Sequence, residues 1–96
     1  MRWFNMKKAV LSIVRGRVQG VGFRFFLVNK AKSLGISGWT RNLVDGTVET
    51  MAVGEPAALE RFMHELRSGP VGSQVGSVDF QWVEGSFEFQ DFEIRG

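Results

Sequence analysis

The sequence predicts an α+β sandwich of split βαβ topology, and three observations lead there. Short β-prone runs and helical stripes follow one another as strand, helix, strand, strand, helix, strand. An Asp45-Gly46 pair divides the two middle strands, a short-range hairpin signal. Each helical stripe stops at a glycine, Gly35 or Gly69.

The first strand is read over Lys8–Val14, whose apolar and β-branched residues suit the middle of a sheet. The first helix runs over Phe23–Leu34. It puts Leu27, Ala31 and Leu34 at i, i+4 and i+7, with Lys30, Lys32 and Ser33 on the wet side. Ile36–Leu43 and Thr47–Val53 alternate on either side of the turn Val44-Asp45-Gly46. Pro56 suits the first turn of a second helix, which carries Leu59, Phe62, Met63 and Leu66 on one stripe and ends at Gly69-Pro70. Gly72, Ser73 and Gly76 read as a loop, and Val78–Val83 and Phe87–Ile94 as two more strands. The sum is a ferredoxin-like sandwich, βαββαβ: an antiparallel sheet with two helices on one face and an extra C-terminal strand. Residues 1–6 read as a short N-terminal extension, with its order left open and disorder favoured, and residues 7–96 as a single domain.

Bulk properties exclude several functions. The chain has no cysteine, so disulfides, thiolate metal sites and cysteine nucleophiles are ruled out, and its single histidine rules out a multi-histidine metal site. Net charge is 12 − 10 = +2, spread along the chain, which suits small anions and argues little for nucleic acid. The apolar run near the N-terminus, Ala9–Leu11, is far too short for a signal peptide or a membrane span. A cytoplasmic protein without membrane partners is expected, and a monomer, since no long flat apolar edge is evident.

Chemistry concentrates in Gly16-Arg17-Val18-Gln19-Gly20-Val21-Gly22-Phe23-Arg24. Glycine at this density lets the backbone turn sharply and approach a ligand closely. Where such a loop opens a helix, its N–H groups and the positive end of the helix dipole converge on an anion. Arg24, in the first turn, adds a planar fork that matches phosphate oxygens. A glycine-rich connection with a surface arginine stays open on this stretch alone. Two familiar phosphate loops fail on spacing. Val21 stands where a P-loop needs its second glycine, and Phe25 where a dinucleotide loop needs its third.

Asn42 ends the second strand, on the rim a split βαβ core shares with the glycine loop. Its amide suits holding a water in line with a bound phosphorus, or capping its own turn. Gly16-x-Val18-Gln19-Gly20-Val21-Gly22-Phe23-Arg24, then Ala31-x-x-Leu34-Gly35, Gly38-Trp39, Asn42, Asp45-Gly46-x-Val48-Glu49 and Gly54 follow in one order. In these blocks the chain resembles the acylphosphatases, small enzymes that hydrolyse carboxyl-phosphate mixed anhydrides. The resemblance runs from about Val14 to the end of the second helix and weakly beyond.

The resemblance implies that Arg24 binds the phosphate and Asn42 orients the attacking water. The backbone amides of Gln19, Gly20, Val21, Gly22 and Phe23 complete the cradle. It implies an acyl phosphate substrate and inorganic phosphate as product, with no metal or other cofactor. Arg15 and Arg17 flank the loop, either raising local potential or ending a strand in solvent. Trp39 is expected to pack, and Asp45 and Glu49 to serve the turn and the surface. Thr40 stands where many relatives carry valine, and Arg95-Gly96 departs from the apolar end common in the family.

So sparse a site fits the reaction. Phosphoryl transfer has a loose transition state, and catalysis is mainly positioning and charge stabilisation. An acyl phosphate expels a carboxylate, which titrates near pH 4 and needs no general acid. His64, on the second helix, reads as a surface or half-buried residue rather than a catalytic one. Two rivals remain. An RNA-binding module would need an aromatic RNP pattern that no strand shows. Hydrogenase-maturation carbamoyl transferases carry an acylphosphatase-like domain with a similar loop, but a complete chain of this length would lack their other domains. The acyl group itself is unread.

Overall fold

The computed structural model describes residues 7–96, so the expected extension over residues 1–6 lies outside the described residues. Seven elements follow in order: β1 (Lys8–Arg17), α1 (Phe23–Leu34), β2 (Ser37–Asn42), β3 (Val48–Gly54), α2 (Pro56–Ser68), β4 (Gln74–Val83) and β5 (Phe92–Ile94). The strands lie in the order β4-β1-β3-β2-β5. The first four are antiparallel neighbours, the ferredoxin-like α+β arrangement that the alternation of strands and helices predicts.

Strand periodicity divides the sheet into two faces. Val10 and Val14 of β1 and Val48 and Ala52 of β3 point to the helices, where Leu27 of α1 and Phe62 of α2 join one buried core. Both helices therefore cover the same face. Ala9, Met51 and Val53, one residue out of phase, form a second cluster on the other face, under Phe87 and Phe89.

The extra strand differs from expectation. Phe92–Ile94 is only three residues long and runs parallel to β2, so the sheet is mixed rather than antiparallel. The reason is topological. β4 ends where Val83 pairs with Ala9, and β5 starts where Phe92 pairs with Gly38, both on the rim where β1 and β2 begin. A connection that leaves and returns on one rim gives the next strand the direction of β1 and β2. Residues 87–89 alternate because Phe87 and Phe89 pack on the open face, their rings stacked at 6.5 Å, while they pair with no strand among the described residues.

Strand β4 starts four residues before the expected Val78. Beyond a register shift between Arg15 and Gly16, β1 continues to Arg17 and pairs with Gln74 and Val75. Gly76, read as a loop signal, sits at this irregularity, a common place for a glycine within a strand.

Candidate active site

β1 and β2 are both antiparallel to β3, so their C-terminal ends share one rim. Val14, Val48 and Asn42 stand on one rung across β1, β3 and β2. The glycine loop, residues 18–22, continues from β1 on that rim and feeds directly into α1. Gly20 (φ 74°) and Gly22 (φ 79°) occupy the left-handed region, which other residues adopt only at a cost. Gly22 is also the N-cap of α1, with no side chain bonded to the helix end and no acidic residue in the first turn. The α1 N-terminus thus keeps the positive end of its dipole uncompensated by carboxylates.

Arg24, half-buried in that first turn, makes no ion pair among the described residues. Arg15 is different: it pairs with Asp79 of β4, so its charge is compensated. Arg17 is exposed and also unpaired among the described residues, leaving a second positive charge at the loop.

Asn42 follows Thr40 by two, and Thr40 is fully buried on the helix-facing side. Alternation turns Asn42 to that side as well, the side on which α1 begins. Its Oδ1 is buried and has no hydrogen-bond partner among the described residues. A buried amide oxygen without a partner costs about 1–3 kcal/mol, so such an atom calls for a ligand or a water. Thr40 itself bonds Thr50 Oγ1 at 2.9 Å, which explains how a hydroxyl is accommodated where valine is common in the resembling family.

The turn after Asn42 is built locally. Gly46 donates to the Leu43 carbonyl at 3.1 Å and Leu43 to that of Thr47 at 2.9 Å. Of the Asp-Gly pair only Gly46 (φ 92°) enters the left-handed region. Asp45 instead accepts from the Thr47 hydroxyl at 2.7 Å and the Thr47 amide at 3.0 Å. The Thr47 hydroxyl first, then its amide, holds the Asp45 carboxyl below its ordinary pKa.

One contact escaped the sequence. The Gln19 side chain donates from Nε2 to the carbonyls of Leu43 (2.8 Å) and Thr47 (2.9 Å), tying the glycine loop to the throat of the hairpin. The only signal available was glutamine's two-donor amide within a phosphate-loop pattern. Its partners lie 24 and 28 residues away.

The remaining chemistry-bearing residues lie elsewhere. Trp39 packs on the open face, with the guanidinium groups of Arg41 and Arg95 over its ring at 5.3 Å and 5.2 Å from its centre. Glu49 pairs with Arg41 at 2.7 Å. His64 is exposed on α2. No cluster of three or more metal-ligating side chains occurs among the described residues. A cavity of about 610 Å³ opens at the opposite rim, lined by Lys8, Ser37, Val53 and Phe87, and includes no residue of the glycine loop.

A family model for acylphosphatase matches residues 10–94. Among curated proteins, the acylphosphatase of Thermus thermophilus is 49% identical over 75 residues, covering 78% of this chain and 85% of that one. Among solved structures, an acylphosphatase from Coxiella burnetii superposes with a TM-score of 0.90 at 32% identity, covering 99% of this chain and 100% of that one. The chain is also similar to a small part of full-length HypF in its phosphate- and nucleotide-bound form. That match has a TM-score of 0.86 at 27% identity and covers 100% of this chain but 13% of that one. A match along almost the whole chain, in sequence and in fold, places it in the acylphosphatase family.

Proposed function

We propose that this acylphosphatase hydrolyses small acyl phosphates by in-line attack of water on phosphorus, with no metal or other cofactor. The observation that carries the reading is the buried, unpartnered Oδ1 of Asn42 on the rim shared with the glycine loop and the uncapped start of α1. The amides of Gln19, Gly20, Val21, Gly22 and Phe23, with the α1 dipole and the Arg24 guanidinium, hold the phosphate oxygens. Asn42 Oδ1 accepts a hydrogen bond from a water and so aims the water's lone pair at phosphorus. As the water oxygen–phosphorus bond forms, the bond from phosphorus to the acyl oxygen breaks. The carboxylate departs with the electron pair, and the water proton goes to a phosphate oxygen or to solvent. No protein base is required.

Two measurements test this. In ¹⁸O-labelled water, label appears in inorganic phosphate; label in the carboxylate would mean attack at the carbonyl and would overturn the proposal. Asn42→Ala is expected to lower kcat by about 10²-fold while leaving the affinity for inorganic phosphate nearly unchanged. Full kcat in that variant would remove Asn42 from the mechanism.

The partners are the acyl phosphate and inorganic phosphate, and we take the protein to be a cytoplasmic monomer that binds neither nucleic acid nor membrane. No helix among the described residues is long and apolar enough to cross a membrane. The similarity to a segment of HypF favours a second reading, a carbamoyl-phosphate-processing domain of a larger protein. Comparable turnover of benzoyl and carbamoyl phosphates by the isolated chain supports the first reading, and turnover confined to carbamoyl phosphate the second.

A further inference from the structure

We infer that Gln19 is a positioning residue: its side-chain amide sets the distance between the phosphate loop and Asn42. This rests on the functional reading above and adds a role that the loop's backbone does not supply.

Both N–H groups of the Gln19 amide are directed at the hairpin throat, to the carbonyls of Leu43 at 2.8 Å and Thr47 at 2.9 Å. Leu43 directly follows Asn42, and Thr47 directly precedes Val48, which pairs with Asn42 across the sheet. The two accepting carbonyls therefore lie one step toward the turn from the rung that carries Asn42. No other side-chain hydrogen bond joins the loop to this hairpin among the described residues. Gly20 and Gly22 leave the loop backbone with little stiffness of its own. Apart from the two Gln19 bonds, the side-chain and turn hydrogen bonds of the hairpin tip among the described residues are internal, made by Asp45, Thr47, Leu43 and Gly46. The phosphate and the water are thus held by two separate segments, and Gln19 is the strut between them.

The chemistry of the strut is specific. Two carbonyl oxygens need two donors on one uncharged group, and a primary amide provides both. A carboxylate would present only acceptors to them, and a methionine none of the required protons. Reaction geometry is sensitive to this: a misplacement of about 1 Å between water and phosphorus costs about 10²-fold in rate.

The test uses Gln19→Met, Gln19→Glu and the double variant Gln19→Met/Asn42→Ala, with benzoyl phosphate as substrate and inorganic phosphate as competitive inhibitor. Gln19→Met is expected to lower kcat by about 10–100-fold with phosphate inhibition changed less than about threefold. Gln19→Glu is expected to be slow at pH 8 and to recover relative to wild type as pH falls towards 5, because its protonated carboxyl regains a donor. In the Asn42→Ala background, Gln19→Met is expected to have almost no further effect, since its contribution acts through Asn42. Wild-type kcat in Gln19→Met, or equal losses in both backgrounds, would overturn the inference. So would phosphate binding that weakens in parallel with kcat, which would make Gln19 a builder of the loop alone. If Gln19→Met fails to fold, the pH response of Gln19→Glu decides: a constant ratio to wild type rejects the strut. Failure of the functional reading looks different, as wild type would not turn over or Asn42→Ala would turn over fully.

Discussion

At the scale of single residues, the site separates anion grip from water orientation. In our proposal Arg24 and the loop amides do the first and Asn42 does the second. Neither needs a titrating base. The rate is therefore expected to show no ionisation of an enzyme side chain between about pH 6 and 7. His64→Gln should leave kcat unchanged, because that side chain is exposed on α2. A kcat profile that titrates within that range and flattens in His64→Gln would contradict this. Gly22→Ala tests the loop in another way. An added methyl group meets nothing within 4 Å, so the expected penalty of about 1–2 kcal/mol comes from the left-handed backbone alone and is read by urea unfolding. The sequence put Arg24 and Asn42 forward through the family resemblance, and the structure sets Arg24 in the first turn of α1 and Asn42 on the same rim. The Gln19 contacts were not legible there, since carbonyl partners 24 and 28 residues away carry no side-chain signature.

Elements explain how these residues come together. The β2–β3 hairpin is the one that matters most, because it presents Asn42 at its throat. Asp45 braces it while ionised, accepting two bonds from Thr47. Its carboxyl lies below its ordinary pKa in the folded protein, so this stability is fully present above the ordinary carboxylate range and is lost as pH falls through the lowered value. Asp45→Asn is therefore expected to be less stable than wild type at pH 7, with the difference shrinking in acid. Denaturant midpoints at pH 7 and pH 3 measure this, and a difference that grows in acid would be contrary. Sequence periodicity located both helices and four strands, since each buries a regular stripe. It overextended the last strand, because Phe87 and Phe89 alternate for the sake of face packing. Phe92, 2% exposed and edge-on to Phe62 at 5.7 Å, is the true anchor of β5. Phe92→Ala is expected to cost about 3–5 kcal/mol, and Phe89→Ala, half-buried, clearly less. Equal losses in thermal unfolding would contradict that ranking.

Over the whole molecule, topology puts the chemistry on one rim. The parallel course of β1 and β2 brings the loop and Asn42 to the same end of the sheet. The return segment over residues 84–91 covers the sheet face that the helices leave open. This closure was hidden in the sequence. The βαββαβ order is legible from periodicity, but the direction of a fifth strand depends on which rim the chain leaves and rejoins. The +2 net charge is modest. In our proposal the pull on the substrate's phosphate is local, from Arg17, Arg24 and the start of α1. Neither arginine makes an ion pair among the described residues, and the first turn of α1 holds no carboxylate.

The central claim is that this rim hydrolyses acyl phosphates through a phosphate held by Arg24. Its most direct test is hydrolysis of benzoyl phosphate in EDTA by wild type beside Arg24→Ala. The account predicts fast turnover by wild type and a loss of at least about 10²–10³-fold in a folded variant, with phosphate inhibition weakened in step. Turnover in Arg24→Ala close to wild type, or none in folded wild type, would contradict it.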